Sequence, residues 1–116
     1  MDYQAFLDGK RHSQQLHGFP IHYRAEFLHD FQAALVDWAV RLGRCAILAD
    51  CGLGKTPMQL VWGQNVVEHT HRPVLVLTPL AVGQQTLGEA HKFGIQAARS
   101  RDGRFDASDG LIIANY

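Results

Sequence analysis

The chain has few of the residues that mark several protein classes. Only 2 cysteines and 4 prolines occur among its 116 residues, which excludes a disulfide scaffold and a proline-rich disordered chain. No apolar run approaches the ~20 residues that span a bilayer, and the first residues lack the basic-then-apolar pattern of a secretory signal. The sequence therefore predicts a soluble, cytoplasmic protein with reduced thiols and no membrane contact.

The chain also has no excess of charge of either sign. The 11 Lys plus Arg balance the 11 Asp plus Glu, so the formal net charge is +0. A chain without a global basic field does not attract nucleic acid over its whole surface, and any contact with phosphate has to be local. Histidines are numerous, and His69 lies close to His71, but no paired cysteines or HExxH helix accompany them. We interpret them as surface residues instead of metal ligands.

The apolar residues that are present follow the spacing of an α/β fold. With 47% hydrophobic residues, the chain is long enough for one small domain. Strands that alternate with helices predict a parallel sheet with helical crossovers. Helices are predicted over 2–16, 28–42, 55–69 and 81–92, strands over 45–49, Val74–Thr78, 95–99 and Leu111–Asn115, and a polar loop or hairpin over 100–110.

Two of these segments carry specific expectations. The strand 45–49 is wholly apolar and is predicted to be a buried, central strand. The helix 28–42 shows apolar residues at helical spacing and ends at Gly43, a residue typical of a helix C-terminus. Its predicted core face consists of Leu28, Phe31, Leu35, Trp38, Ala39 and Leu42.

A glycine-bearing loop joins the strand 45–49 to the helix 55–69. It has the sequence Ala49-Asp50-Cys51-Gly52-Leu53-Gly54-Lys55-Thr56. In a phosphate-binding loop, backbone N–H groups and a helix N-terminus converge on one anion, and glycines let the backbone approach it. Lys55 would then reach the β- and γ-phosphates and Thr56 would help to hold Mg²⁺. The alternative is a glycine-rich turn with an incidental lysine.

Several segments together resemble the opening motifs of superfamily-two helicases, most closely the DEAD/DEAH-type helicases of phages and prophages. The first loop glycine is often alanine in that superfamily, as it is here. The resemblance implies a partial three-layer, RecA-like P-loop domain with a short, mainly parallel sheet, divided into an N-terminal helix and loop (1–20) and a P-loop core (21–116). The matching segments are Leu28-His29-Asp30-Phe31-Gln32, Trp38, the loop 49–56, and the run from Val74 to Leu80.

The resemblance also implies roles for individual residues. Gln32 would read the adenine edge of ATP, so that Gln32, Cys51, Gly52, Leu53, Gly54, Lys55 and Thr56 would bind the cofactor; an exposed glutamine on a helix is the alternative. Thr78 and Pro79 match a motif that touches the sugar–phosphate backbone, and Ala114-Asn115-Tyr116 looks like the start of another. Arg99, Arg101 and Arg104 form a basic cluster that could meet DNA or an acidic protein surface. A simple strand end and a solvated loop are the alternatives.

The chain departs from the helicase pattern in two respects. It has no acidic box for Mg²⁺ and no second lobe with an arginine finger, and Asp106 and Asp109 lie in loop-like sequence that does not replace the box. We therefore assign no catalytic residue and expect weak or absent ATP hydrolysis. The chain is expected to be a helicase lobe truncated before the acidic box. The alternative is a small mobile-element protein that uses this fold as a decoy or inhibitor of a host factor.

The same departure leads to an expectation about partners. In the helicase lobe, the strands that bear the acidic box and the next motif lie between the strand 45–49 and the strand Val74–Thr78. Without them, both strands would expose unpaired backbone groups along an apolar edge, and such edges recruit other strands. We expect either direct pairing of these two strands or completion of the sheet by a second copy or another protein.

Overall fold

A computed structural model describes Tyr3 and residues 16–48, 54–100 and 110–116. The predicted helix 2–16 falls almost entirely outside these residues. Within them, no helix is long and apolar enough to cross a membrane. The helices are α1 (Asp30–Leu42), α2 (Lys55–Thr70) and α3 (Leu80–Lys92), and the strands are β1 (Val74–Thr78), β2 (Ala97–Arg99) and β3 (Leu111–Asn115).

The three strands form one parallel sheet in the order β1-β3-β2. Val74 of β1 and Ala97 of β2 both lie opposite Leu111 at the start of the central strand β3. This confirms an α/β domain with a short parallel sheet. β2 is shorter than the predicted strand 95–99, because Ile95 instead donates its N–H to the Ala90 carbonyl at the end of α3 and is buried there.

Helices α2 and α3 pack on one face of the sheet, and α1 packs against α2. A Cβ on Gly63 of α2 would meet Leu111, and a Cβ on Gly83 of α3 would meet Thr78. Leu111 and Thr78 share a face, since strand residues two apart lie on the same side and Val74 pairs with Leu111. The described residues therefore form two layers, and the second helical layer of the predicted three-layer domain is not among them. The core consists of Ala25, Val36, Val40, Met58, Leu60, Val61, Ala90, Ile95 and Leu111.

The predicted central strand 45–49 is not part of this sheet. Residues 45–48 have irregular backbone, and Leu48 is 97% exposed; residue 49 lies outside the described part. β1 pairs with β3 and presents exposed Leu75 and Leu77 on the face opposite the helices. The prediction was wrong because apolar side chains favour a buried strand only where a neighbouring strand supplies backbone hydrogen bonds, and no described strand pairs with this segment.

The predicted core face of α1 was wrong in part. Gln32, Val36, Ala39 and Val40 are buried, whereas Phe31 is 48% and Trp38 42% exposed. Ala39 is buried as predicted, and Leu28 and Leu35 are half-buried against the core. The predicted end of α1 is confirmed, because Gly43 has a φ of 83° and donates its N–H to the Ala39 carbonyl at 3.0 Å.

A segment before α1, which we call the strap (residues 17–23), connects the C-terminal parts of α1 and α2. The N–H groups of His17, Gly18 and Phe19 donate to the last carbonyls of α1. Asn65 of α2 is fully buried and binds the other end: its Oδ1 accepts from the N–H groups of His22 and Tyr23, each at 2.7 Å. The strap therefore satisfies carbonyls that a helix end leaves without partners.

Candidate functional site

The N-terminus of α2 is where the sequence predicts phosphate binding. Gly54 precedes the helix with φ 73° and ψ 48°, in the left-handed region that favours glycine. A Cβ at this position would also overlap the side-chain nitrogen of Gln32. Gly54 thus meets two requirements that no other residue type meets without strain. Cys51, Gly52 and Leu53 lie outside the described residues.

Gln32 lies against this turn. It is 5% exposed, so the alternative of an exposed glutamine is wrong. Its Oε1 accepts from the His29 N–H at 2.9 Å, and its Nε2 donates to the Gly54 carbonyl at 3.4 Å. The structure therefore brings Gln32 and Gly54 together across 22 residues of sequence. Recognition of adenine by Gln32 stays a prediction.

The first turn of α2 has the electrostatic character of an anion site. Its first-turn residues include no acidic side chain, and no side chain of the described residues caps its N–H groups. Lys55 is exposed and Thr56 half-buried, and neither side chain has a hydrogen bond or ion pair with the described residues. Unpaired N–H groups at a helix N-terminus carry partial positive charge, so the amides and Lys55 would attract an anion together.

A groove runs beside this turn between α1 and α2. Its volume is about 550 Å³, and Lys55 and Arg44 supply positive charge to an otherwise mostly apolar lining that includes Val36, Met58 and Trp62. A ligand that matches both the positive charge and the apolar lining of the groove would join an anionic group to an apolar or aromatic body. A nucleotide has this composition.

A second polar cluster lies where the three parallel strands end. Thr78 Oγ1, Asn115 Oδ1 and Arg99 Nε lie 3.2, 3.3 and 3.4 Å from the position that a Cβ on Gly83 would occupy. All three atoms are buried and lack a hydrogen-bond partner in the described part of the chain. The structure thus joins three of the residues that the sequence associates with nucleic acid. Their convergence on Gly83 was not predicted, because a glycine inside a helical pattern gives no sign of what it packs against.

These side chains are directed inward. Thr78 is 4% exposed, and Arg99 donates from Nη1 to Gln84 Oε1 at 3.2 Å and from Nη2 to the Leu80 carbonyl at 3.5 Å. Pro79 is the N-cap of α3. Contact of these groups with a nucleic-acid backbone would require α3 to shift. Arg101 and Arg104 lie outside the described residues.

Histidine, cysteine and carboxylate side chains do not assemble into a metal site. Among the described residues no group of three or more of them is placed to hold a metal ion. His69 instead bonds His22, and His71 occupies the left-handed position that ends α2.

Comparison with known proteins adds no assignment. No protein-family model matches the chain, and a search of curated proteins gives no match.

Proposed function

We propose that the chain binds ATP, together with Mg²⁺, at the N-terminus of α2 and is a nucleotide-binding, helicase-like N-terminal lobe. The observation that supports this most is the turn at Gly54, which begins a 16-residue helix with an uncapped, acid-free first turn and an unpaired lysine. The sequence of the loop that precedes it and the contact of buried Gln32 with Gly54 support the same site.

Each group would make a separate contribution. The first-turn amides and Lys55 would bind the phosphates, and the Thr56 hydroxyl would supply one oxygen ligand to Mg²⁺. Gln32 would read the adenine edge. No carboxylate cluster accompanies Thr56 in the described residues, and the sequence has no acidic box. We therefore expect binding without turnover, because the groups that stabilise the transferred phosphoryl are missing.

Lys55→Ala tests the site directly. A hydrogen bond to a charged group contributes roughly 1.5–3 kcal/mol, so the variant is expected to raise the Kd for Mg–ATP about 10- to 100-fold. Isothermal titration calorimetry on the full chain gives this Kd. Lys92→Ala is the matched control, because Lys92 is equally an exposed helical lysine but lies at the last residue of α3.

Two results would overturn the proposal. Undetectable Mg–ATP binding by the folded wild-type chain at millimolar concentration would remove the site. An equal loss of Mg–ATP affinity in Lys55→Ala and Lys92→Ala would show that the chain attracts the nucleotide only through unspecific positive charge. Rapid hydrolysis that is stimulated by nucleic acid and abolished in Lys55→Ala would keep the site but refute the expected lack of turnover.

The edge of β1 supports a second candidate, a protein-interaction role. Leu75 and Leu77 are 61% and 53% exposed on this edge strand, and exposed apolar edges pair with other strands. A second copy or another protein would complete the sheet here, as in the decoy or inhibitor hypothesis. DNA stays a weaker proposal, because Thr78 and Arg99 are directed inward. Sedimentation velocity at micromolar concentration tests the self-pairing branch.

A further inference from the structure

The strap is held to α2 by a hydrogen bond between two histidines. His22 Nε2 and His69 Nδ1 are 2.9 Å apart, and both side chains are exposed. The ring of Phe19 stacks on His69 with centroids 3.8 Å apart and an interplanar angle of 6°. His69 lies one helical turn beyond Asn65, so the histidine pair extends the attachment that Asn65 makes to His22 and Tyr23.

We infer that the His22–His69 pair is a proton-sensitive clasp that releases the outer edge of the strap in mildly acidic solution. One ring nitrogen must donate and the other must accept, whichever tautomers are present. When both rings are protonated, every ring nitrogen carries a hydrogen, and neither can accept. The bond is then replaced by two like charges on rings whose centroids are 5.0 Å apart.

Among the described residues, no ion pair offsets this added charge. Neither imidazole has an ion pair or a second side-chain hydrogen bond among the described residues, and Arg41 and Glu68 already bond Asp37 and Gln64 respectively. The stack on Phe19 persists, because an aromatic face also attracts a cation. Other titratable or charged residues lie on the segments that pack together here. His17 belongs to the strap, and Arg24 follows it. Arg41 and Arg44 lie near the end of α1, and Glu68, His71 and Arg72 lie near the end of α2.

Release of the strap would change access to a cavity. Phe19, Val40, Trp62 and Val66 line a space of about 550 Å³ beneath the strap. One proton on the pair still leaves a donor and an acceptor and keeps the bond, whereas a second proton removes the acceptor. The clasp is therefore intact while one ring is neutral and is lost at the lower pH at which both rings are protonated.

Amide hydrogen exchange followed by NMR tests the clasp on the 13.0 kDa chain. The amides of Phe19 and Tyr23 donate to the Val40 carbonyl and to Asn65 Oδ1, so their protection factors report strap opening. Corrected for intrinsic exchange, these factors are expected to fall about tenfold from about pH 7.5 to about pH 5, since one hydrogen bond is lost. The Ile95 amide, bonded to Ala90, should keep its protection and so excludes global unfolding.

His22→Gln is the decisive variant. A glutamine amide can donate to neutral His69 and accept from protonated His69, so the fall with pH should disappear. His17→Gln is the matched control on the same strap and should retain the fall. If His22→Gln does not fold, His69→Asn provides a second variant in which one imidazole of the pair is replaced by an amide. Two results would overturn the inference. One is protection factors of the Phe19 and Tyr23 amides that stay constant with pH in the wild-type chain. The other is a fall in these factors that survives in both His22→Gln and His69→Asn.

Discussion

Asn65→Ala removes the residue that joins the strap to α2. The Asn65 side chain is fully buried. Its Oδ1 accepts from the N–H groups of His22 and Tyr23, and its Nδ2 donates to the Tyr23 carbonyl at 3.0 Å and to the Val61 carbonyl at 2.9 Å. Alanine leaves three backbone groups of the strap without partners: the N–H groups of His22 and Tyr23 and the carbonyl of Tyr23. The Val61 carbonyl keeps a partner, because it also accepts a backbone hydrogen bond within the helix.

The size of the effect follows from these groups. Each buried donor or acceptor left unsatisfied costs about 1–3 kcal/mol. The strap groups are part-buried, so the lower end applies and the expected loss in unfolding free energy is about 3 kcal/mol. Domains are stable by only ~5–15 kcal/mol. Asn65→Ala should therefore remove a large share of the total, with a fall in Tm of roughly 10 °C.

Urea unfolding followed by circular dichroism measures this loss. Gln64→Ala is the matched control, because Gln64 is the preceding residue of α2 and makes only an exposed hydrogen bond with Glu68 at 3.3 Å. The control should lie within about 0.5 kcal/mol of the wild-type chain. If Asn65→Ala also lies within that range, the strap groups find other partners and the reasoning fails.

The remaining predictions concern α3 and the edge of the sheet. Gly88→Ala should stabilise the chain by about 0.5–1 kcal/mol, because Gly88 is helical with nothing within 4 Å of its Cβ position. Gly83→Ala should lose that gain, since its Cβ would lie 3.2 Å from Thr78 Oγ1; equal thermal melts for the two variants would contradict this. Leu77→Lys should shift any self-association toward monomer in sedimentation velocity, because a charge on an edge strand opposes pairing. A wild-type chain that is strictly monomeric would refute this last expectation.

The elements that the sequence predicts well are those with local signals at both ends. β1 begins after Pro73 and ends before Pro79, and its bounds match the prediction residue for residue. The start of α2 at Lys55 follows from the glycine before it, and the end of α1 from Gly43. In each case the residue that begins or ends the element acts through its own backbone preference, which tertiary contacts do not need to supply.

The face of α1 could not be predicted in this way. Apolar spacing favours Phe31 and Trp38 as core residues, but the helix buries Gln32 on another side. The amide of Gln32 is stabilised there by the His29 N–H and the Gly54 carbonyl, and the second partner is distant in sequence. A polar side chain whose partner comes from a distant segment contributes nothing to a hydrophobic pattern. For this reason the family resemblance assigned Gln32 and Gly54 to one cofactor site, whereas the hydrophobic periodicity gave no sign that Gln32 is buried.

The two proposed sites lie at opposite ends of one helix, and this separation makes their tests independent. Lys55 begins α2 and His69 lies in its last turn, so about 21 Å of helix separates them at 1.5 Å per residue. Substitutions farther apart than ~7–10 Å with no shared partners usually act additively. Trp62 lines both the groove beside Lys55 and the cavity beneath the strap, so a change in Mg–ATP affinity in His22→Gln would need a shift of Trp62 or of α2. Without such a shift, failure at one end of α2 leaves the inference at the other end intact.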